Sequence, residues 1–115
     1  MATARIMYWK EVPVQIQASG DGGRVSRPLD SRFQVGADAI AMFDGSQDTD
    51  AYLDGWIWGE PFSVAGTAEE VAASLADKYN RQFPLDFVSR IRRLHEAGTR
   101  NPEPGAVDHW MEEVP

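Results

Sequence analysis

The chain has 115 residues, a formal net charge of −7 and no cysteine, and 43% of its residues are hydrophobic. These values predict one globular domain, and they exclude disulfides, thiolate metal sites and cysteine nucleophiles. The negative charge argues against nucleic acid and against an anionic membrane surface as partners. No apolar run approaches the length of a membrane span and no secretory leader pattern begins the chain, so a cytoplasmic location is the default expectation.

The first predicted strands lie in the segment Arg5–Gln17. Its residues alternate with a period of two, and both faces of the first half are partly apolar, which is typical of a strand inside a sheet or between two layers. Pro13 cannot donate to a ladder, so we expect it to mark a bend or bulge between two short strands. The run Gly20-Asp21-Gly22-Gly23 suits a tight hairpin turn, and a short, polar edge strand is expected at Arg24–Arg27.

A helix is predicted to begin near Pro28–Ser31 and to end at Gly45. Its apolar residues recur at helical spacing: Phe33, Ala37, Ile40 and Ala41. Gly36 lies on the same side, where it costs about 1 kcal/mol relative to alanine, so a close helix contact is expected there. A single helical turn is expected after Thr49, and alternation over residues 56–63 predicts one further strand.

Two more helices are predicted in the second half of the chain. Thr67-Ala68-Glu69-Glu70 is a capping box that begins the first of them. Pro84 follows a break and suits the first turn of the second helix, and Gly98 suits its C-terminal end. The apolar stripes of the two helices are Val71, Ala72, Leu75 and Tyr79, and then Phe87, Val88, Ile91, Leu94 and His95.

These elements predict an α+β domain over residues 1–98. It contains a small, mainly antiparallel sheet of three to four strands, with three helices packed mostly on one face. Residues 99–115 are predicted to form an acidic, partly mobile C-terminal tail. An apolar stripe in this tail could be a short docking segment: Val107, Trp110, Met111 and Val114.

Several motifs together resemble a small bacterial domain family called virulence factor, which also occurs in conserved virulence factor C. They are Ile6-Met7-Tyr8-Trp9 with Val12-Pro13-Val14-Gln15, Arg32-Phe33-Gln34, and Asp50-Ala51-Tyr52-Leu53 with Trp56-Ile57-Trp58. The resemblance extends over residues 4–80. It brings no established catalytic residues, and it implies an accessory role beside folate- or corrinoid-dependent one-carbon enzymes.

The aromatic residues of the strands allow two interpretations. Tyr8, Trp9, Trp56 and Trp58 could all be core, which is the commoner place for large aromatic side chains. They could instead form an exposed patch, which usually marks an interaction site. On the second interpretation the chain is a non-catalytic accessory subunit that docks on a larger protein or on itself through this aromatic sheet surface, with a further contact at Trp110 and Met111.

The alternative hypothesis is a small ligand-binding protein or enzyme. In it, a planar or anionic ligand lies near Tyr8, Trp58 and Arg32, since amides at the start of a helix and a guanidinium can hold an anion. The simpler interpretation of Arg32 is a surface cation that pairs with a neighbour such as Asp30.

No motif indicates catalysis or a metal. The sequence lacks a nucleophile elbow, a P-loop and a dinucleotide fingerprint, so no catalytic residue and no cofactor are predicted, and an enzyme is the less favoured class. The aspartates between residues 44 and 54 lack the spacing of a calcium loop, and His95 and His109 lack the spacing of a zinc site. Arg90, Arg92 and Arg93 match the negative end of their helix, although they could also contact an acidic partner.

Overall fold

Five strands form one antiparallel sheet in the computed structural model, which describes residues 1–112. The strands are β1 (Ala2–Trp9), β2 (Val12–Gly20), β3 (Gly23–Pro28), β4 (Trp56–Trp58) and β5 (Phe62–Val64). Their order is β3-β2-β1-β4, and β5 pairs with the other end of the same edge of β1. The predicted α+β fold with an antiparallel sheet is confirmed, and β5 is an additional strand.

The helices are α1 (Ser31–Asp44), α2 (Asp50–Asp54), α3 (Ala68–Gln82) and α4 (Phe87–Ala97), followed by a 3-10 helix at Asp108–Glu112. The capping box of α3 is present, because the Glu70 amide donates to the Thr67 hydroxyl at 3.1 Å and the Thr67 amide donates to the Glu70 carboxylate at 3.2 Å. Gly45 (φ 83°) and Gly98 (φ 74°) end α1 and α4 in the left-handed conformation, as expected.

The turn between β1 and β2 lies before Pro13, where the break between the strands was expected. β1 and β2 are joined at Lys10 and Glu11, and Lys10 has a φ of 51°. Pro13 lies within β2 opposite Tyr8, and the register shifts between Met7 and Tyr8. Pro13 therefore marks a bulge inside a hairpin and does not separate two strands.

The single strand expected over residues 56–63 is divided into two short strands. β4 pairs with the end of β1, where Trp58 lies opposite Met7, and β5 pairs with its beginning, where Phe62 lies opposite Ala4. Between them, the Gly59 amide donates to the Ile6 carbonyl at 2.7 Å, and a Cβ atom on Gly59 would lie 2.9 Å from the ring of Tyr8. The close approach of the chain to Tyr8 explains the break in the strand.

The two faces of β1 have different environments. Ala2, Ala4, Ile6 and Tyr8 are buried on the side where α3 packs. The intervening residues Thr3, Arg5 and Met7 keep exposed surface on the opposite side. Beside the sheet, the core continues between the helices, where three phenylalanine rings have centroids 5.4–5.5 Å apart: Phe33, Phe83 and Phe87. The helices thus pack mainly on one face of the sheet, as predicted.

A buried charged network connects three distant parts of the chain. Arg100 donates to both carboxylate oxygens of Glu11, at 2.6 and 2.7 Å, and to Asp44 at 2.9 Å. Lys10 donates to Asp44 at 2.7 Å and to Ser46 at 2.6 Å. Glu11 is 0% exposed, and the side chains of Arg100 and Asp44 are 7% and 3% exposed. The network joins the β1–β2 turn, the end of α1 and the segment after α4.

The segment after residue 98 contacts the rest of the chain at further points. Besides Arg100, the following segment contains Val107, which is 5% exposed, and Trp110, whose ring centroid lies 6.4 Å from that of Phe83. Residues 99–112 therefore pack against the rest of the domain, while the boundary at residue 98 and the partial mobility expected of residues 99–115 stay predictions. Val114, the last residue of the predicted docking stripe, lies outside the described residues.

We expect Arg100→Met to lower the free energy of unfolding by about 3–5 kcal/mol, because it leaves the buried carboxylate of Glu11 without its cation. Urea denaturation followed by tryptophan fluorescence measures the change. Arg24→Met, on the exposed strand β3, is the matched control and should change the free energy by less than about 0.5 kcal/mol. Equal, small effects of the two substitutions would contradict a stabilising role for the network.

Ionisation of Asp44 makes the stability of the fold depend on pH in the acidic range. Burial on its own raises the pKa of Asp44, but the hydrogen bonds from Lys10, Ser46 and Arg100 outweigh burial and lower the pKa from 3.8 to about 2. A carboxyl group whose pKa falls on folding stabilises the protein above its unfolded pKa, and the stabilisation is lost as pH falls through the folded value. The melting temperature should therefore fall between about pH 4 and pH 2, and should fall less over that window in Asp44→Asn. If the melting temperatures of the two proteins fell by the same amount between pH 4 and pH 2, Asp44 would not be the source of this pH dependence.

Candidate functional site

The side of the sheet away from α3 has a mixed aromatic and polar surface. Residues opposite each other in an antiparallel pair point to the same side, so the observed register places six partly exposed side chains together, next to the buried Trp9. They are Arg5, Met7, Gln15, Gln17, Trp56 and Trp58, which we call the open face. None of the six is buried, and all are partly exposed.

Arg5 is held in place at the centre of the open face. Its guanidinium carbon lies 3.9 Å from the ring centroid of Trp58, and its Nε donates to the side-chain oxygen of Gln17 at 2.7 Å. Within residues 1–112, the two terminal nitrogens of Arg5 have no hydrogen-bond acceptor. A guanidinium fixed in this way presents a flat pair of donors, which suits a carboxylate in bidentate geometry.

The charge of the sheet contrasts with that of the chain. None of the five strands contains an acidic residue, whereas the whole chain has a formal net charge of −7. Arg24 lies opposite Ser19, which lies opposite Thr3, so Arg24 is on the same side of the sheet as Arg5. The strands therefore offer two arginines and no carboxylate on the side of the open face, and an anionic group would meet no like charge from them.

The three tryptophans of the predicted aromatic surface lie on one side of the sheet, where Trp9 is opposite Trp56, but they differ in exposure. Trp9 is 0% exposed, its indole nitrogen donates to the Tyr52 carbonyl at 2.9 Å, and its ring centroid lies 5.6 Å from that of Tyr52. Trp9 is therefore a core residue with no surface for docking. Trp56 and Trp58 lie on the open face and keep exposed surface.

Trp110 and Met111 lie away from the open face. Both are partly exposed, and Trp110 packs between Phe83 and the guanidinium of Arg90, whose carbon is 5.2 Å from the ring centroid. These contacts place Trp110 on the helical side of the domain. The two predicted docking regions therefore do not form one continuous surface.

The alternative ligand site is not assembled. Tyr8 lies on the helical side of the sheet and Trp58 on the opposite side. Arg32 donates to three backbone carbonyls at the end of α3, at 3.1–3.3 Å: Asn80, Phe83 and Pro84. Arg32 thus caps the negative end of a helix, where cations are stabilising, and it does not face either aromatic residue.

One polar cluster has no counterpart among the sequence predictions. Tyr8 donates to Oδ2 of Asp108 at 2.5 Å, and Tyr79 donates to the same oxygen at 2.9 Å. Burial raises the pKa of both phenols and also raises the pKa of Asp108, against the hydrogen bonds from the tyrosines. The other carboxylate oxygen, Oδ1, is buried and has no partner within the described residues. The only sign of this cluster in the sequence was the position of Asp108, an acidic residue between the apolar residues Val107 and Trp110.

Two kinds of feature are absent from residues 1–112. In that part of the chain, no three histidine or acidic side chains come together in a way that could hold a metal ion. No helix in the same range is both long and apolar enough to span a membrane.

We expect Arg32→Gln to lower the free energy of unfolding by about 1.5–3 kcal/mol, because it removes charged hydrogen bonds to carbonyls at the end of α3. Chemical denaturation measures the difference. Arg81→Gln is the control, since Arg81 lies near the same helix end with an exposed side chain and, among residues 1–112, makes only an i, i+4 contact of 3.4 Å to Asp77. If both variants were as stable as the wild type, Arg32 would be available for another role.

Comparison with known proteins gives one match. No curated protein and no solved structure matches the chain. A family model described as "Virulence factor" matches residues 7–94, which include β2 to β5, α1 to α3 and most of α4. This match covers most of the sequence and agrees with the resemblance carried by the strand and helix motifs. The chain therefore belongs to the virulence factor family.

Proposed function

We propose that this protein is a non-catalytic accessory subunit that docks on a larger protein through the open face. The observation that carries the proposal is the arrangement of Arg5, stacked on Trp58 and tethered by Gln17, with two donors free to bind a partner. Tryptophan and arginine are the residue types that most often dominate binding energy in protein interfaces. Because Arg5 is already fixed by its neighbours, little side-chain entropy is lost when a partner binds.

The charge of the strands supports an acidic partner segment. A carboxylate of the partner would form two parallel hydrogen bonds with Arg5, while Arg24 adds a second positive charge on the same side. A groove of about 350 Å³ runs between the open face and the start of α1. It is lined by Met7, Trp56 and Leu29 and also by Asp30, so it suits an apolar side chain of the partner, and the acidic residue would bind at Arg5.

The identity of the partner is supported by the family resemblance alone. That resemblance makes folate- and corrinoid-dependent one-carbon enzymes the first candidates. A second copy of this chain is a competing occupant, since its own surface is rich in carboxylates. Trp110 and Met111 would provide a separate contact on the helical side of the domain.

The proposal is tested by comparing three baits in the native host and then measuring affinity with the purified partner. Wild type, Arg5→Glu and Leu85→Ala are used, and Leu85 serves as the control because it is 87% exposed and lies outside the open face. We expect Arg5→Glu to weaken binding by about 2 kcal/mol or more, which is about 30-fold, and Leu85→Ala to bind like wild type. Trp58→Ala should weaken binding to a similar extent.

The results distinguish between the molecules that could bind the open face. If wild type forms a concentration-dependent dimer that Arg5→Glu abolishes, the occupant is a second copy. If a purified partner binds wild type, and added salt weakens that binding, an acidic partner is supported. If Arg5→Glu and Trp58→Ala are folded and retain the same proteins and oligomeric state as wild type, the docking function is refuted.

A further inference from the structure

We propose that a cleft on the helical side of the sheet binds an alkylammonium group, either in a free amine or in a lysine side chain. The cleft lies where β4 and β5 separate, and the C-terminal segment closes one side of it. Its volume is about 290 Å³, and it is lined by Ile6, Tyr8, Gly59, Glu60, Phe62, Tyr79, Pro104, Gly105 and Asp108. This site is independent of the open face, since Tyr8 and Trp58 lie on opposite sides of the sheet.

The polar end of the cleft lacks a hydrogen-bond donor. Tyr8 and Tyr79 both direct their hydroxyl protons to Oδ2 of Asp108, at 2.5 and 2.9 Å. Oδ1 of Asp108 is buried without a partner among residues 1–112. A buried acceptor without a partner costs about 1–3 kcal/mol, which favours a ligand that brings N–H donors to the Asp108 carboxylate.

The charge of the lining selects a cation. Glu60 and Asp108 both line the cleft, and none of the nine lining residues is basic. Lys78 and His109 act on the charge of Asp108, but neither lines the cleft. Two carboxylates would repel an anionic ligand, whereas an ammonium group would be attracted to both of them and to the faces of the two phenol rings.

The remaining lining is apolar and selects a short aliphatic chain. Ile6, Pro104 and the ring of Phe62 provide carbon surface, and Phe62 is 40% exposed at the mouth of the cleft. A cleft that combines apolar walls with a few converging polar groups is the usual form of a small-molecule site. Its volume admits a chain of a few methylene groups that ends in an ammonium group.

The test is an NMR titration of the full chain with n-pentylamine, with neutral 1-pentanol as the matched ligand. We expect saturable shifts at the amides of Gly59 and Gly105 with the amine, and binding of the alcohol weaker by about tenfold or more, because it lacks the charge. Nα-acetyl-lysine methylamide distinguishes the two sources of the group. If it binds as well as the amine, a lysine side chain of a peptide fits the cleft, and if it does not, the site takes free amines.

Variants locate the binding within the cleft. Asp108→Asn should lower amine affinity by about tenfold, and Glu60→Gln, at an exposed residue that folding does not require, by about threefold. Asp77→Asn is the control, because Asp77 is exposed on α3 and does not line the cleft. If Asp108→Asn does not fold, the amine affinity of Glu60→Gln is the measurement that tests the proposal. The proposal is overturned if the amine shifts neither glycine, if the alcohol binds equally well, or if Glu60→Gln binds the amine like wild type.

Discussion

The ion pairs of Glu11 and Asp44 with Arg100 and Lys10 are the constraint on which the rest of the structure depends. An unpaired carboxylate in the interior costs several kcal/mol, so two buried acidic groups require two cations at fixed positions. One cation comes from the hairpin turn, where Lys10 adopts a φ of 51°, a conformation that ordinarily costs about 1–2 kcal/mol. The other comes from Arg100, and its position determines where the C-terminal segment lies. The burial of Val107, the contact of Trp110 with Phe83 and the approach of Asp108 to the two tyrosines all follow from that placement.

A single strand, β1, supplies residues to both surfaces discussed above. Because consecutive side chains alternate, Arg5 and Met7 belong to the open face while Ile6 and Tyr8 line the cleft on the helical side. The small side chains of Ala2 and Ala4 allow α3 to pack close to one side of the sheet. With α3 on that side, the part of the opposite side around Arg5 and Met7 keeps exposed surface, and the two surfaces are separated by the thickness of the sheet.

The two surfaces have opposite electrostatic character. Arginines and no carboxylates lie on the strands of the open face, which fits an acidic protein segment. Carboxylates and no cations line the cleft, which fits an ammonium group. In a chain with a net charge of −7, five strands without an acidic residue stand out more than an acidic cleft does, and the protein-docking proposal therefore has the stronger electrostatic support.

The sequence by itself determined the fold class, the β2–β3 hairpin, the capping box of α3 and the glycines that end α1 and α4. These features depend on local backbone preferences and on the periodicity of apolar residues, which neighbouring residues specify. Tertiary structure decided which tryptophans are buried, because the indole of Trp9 is enclosed by Tyr52, 43 residues away. It also decided that Arg100 pairs with Glu11, 89 residues away, and that Asp108 meets Tyr8, 100 residues away. A charged residue in a stretch rich in proline and glycine has the same local pattern whether water or a buried carboxylate is its partner, so only the packing of distant segments could distinguish the two.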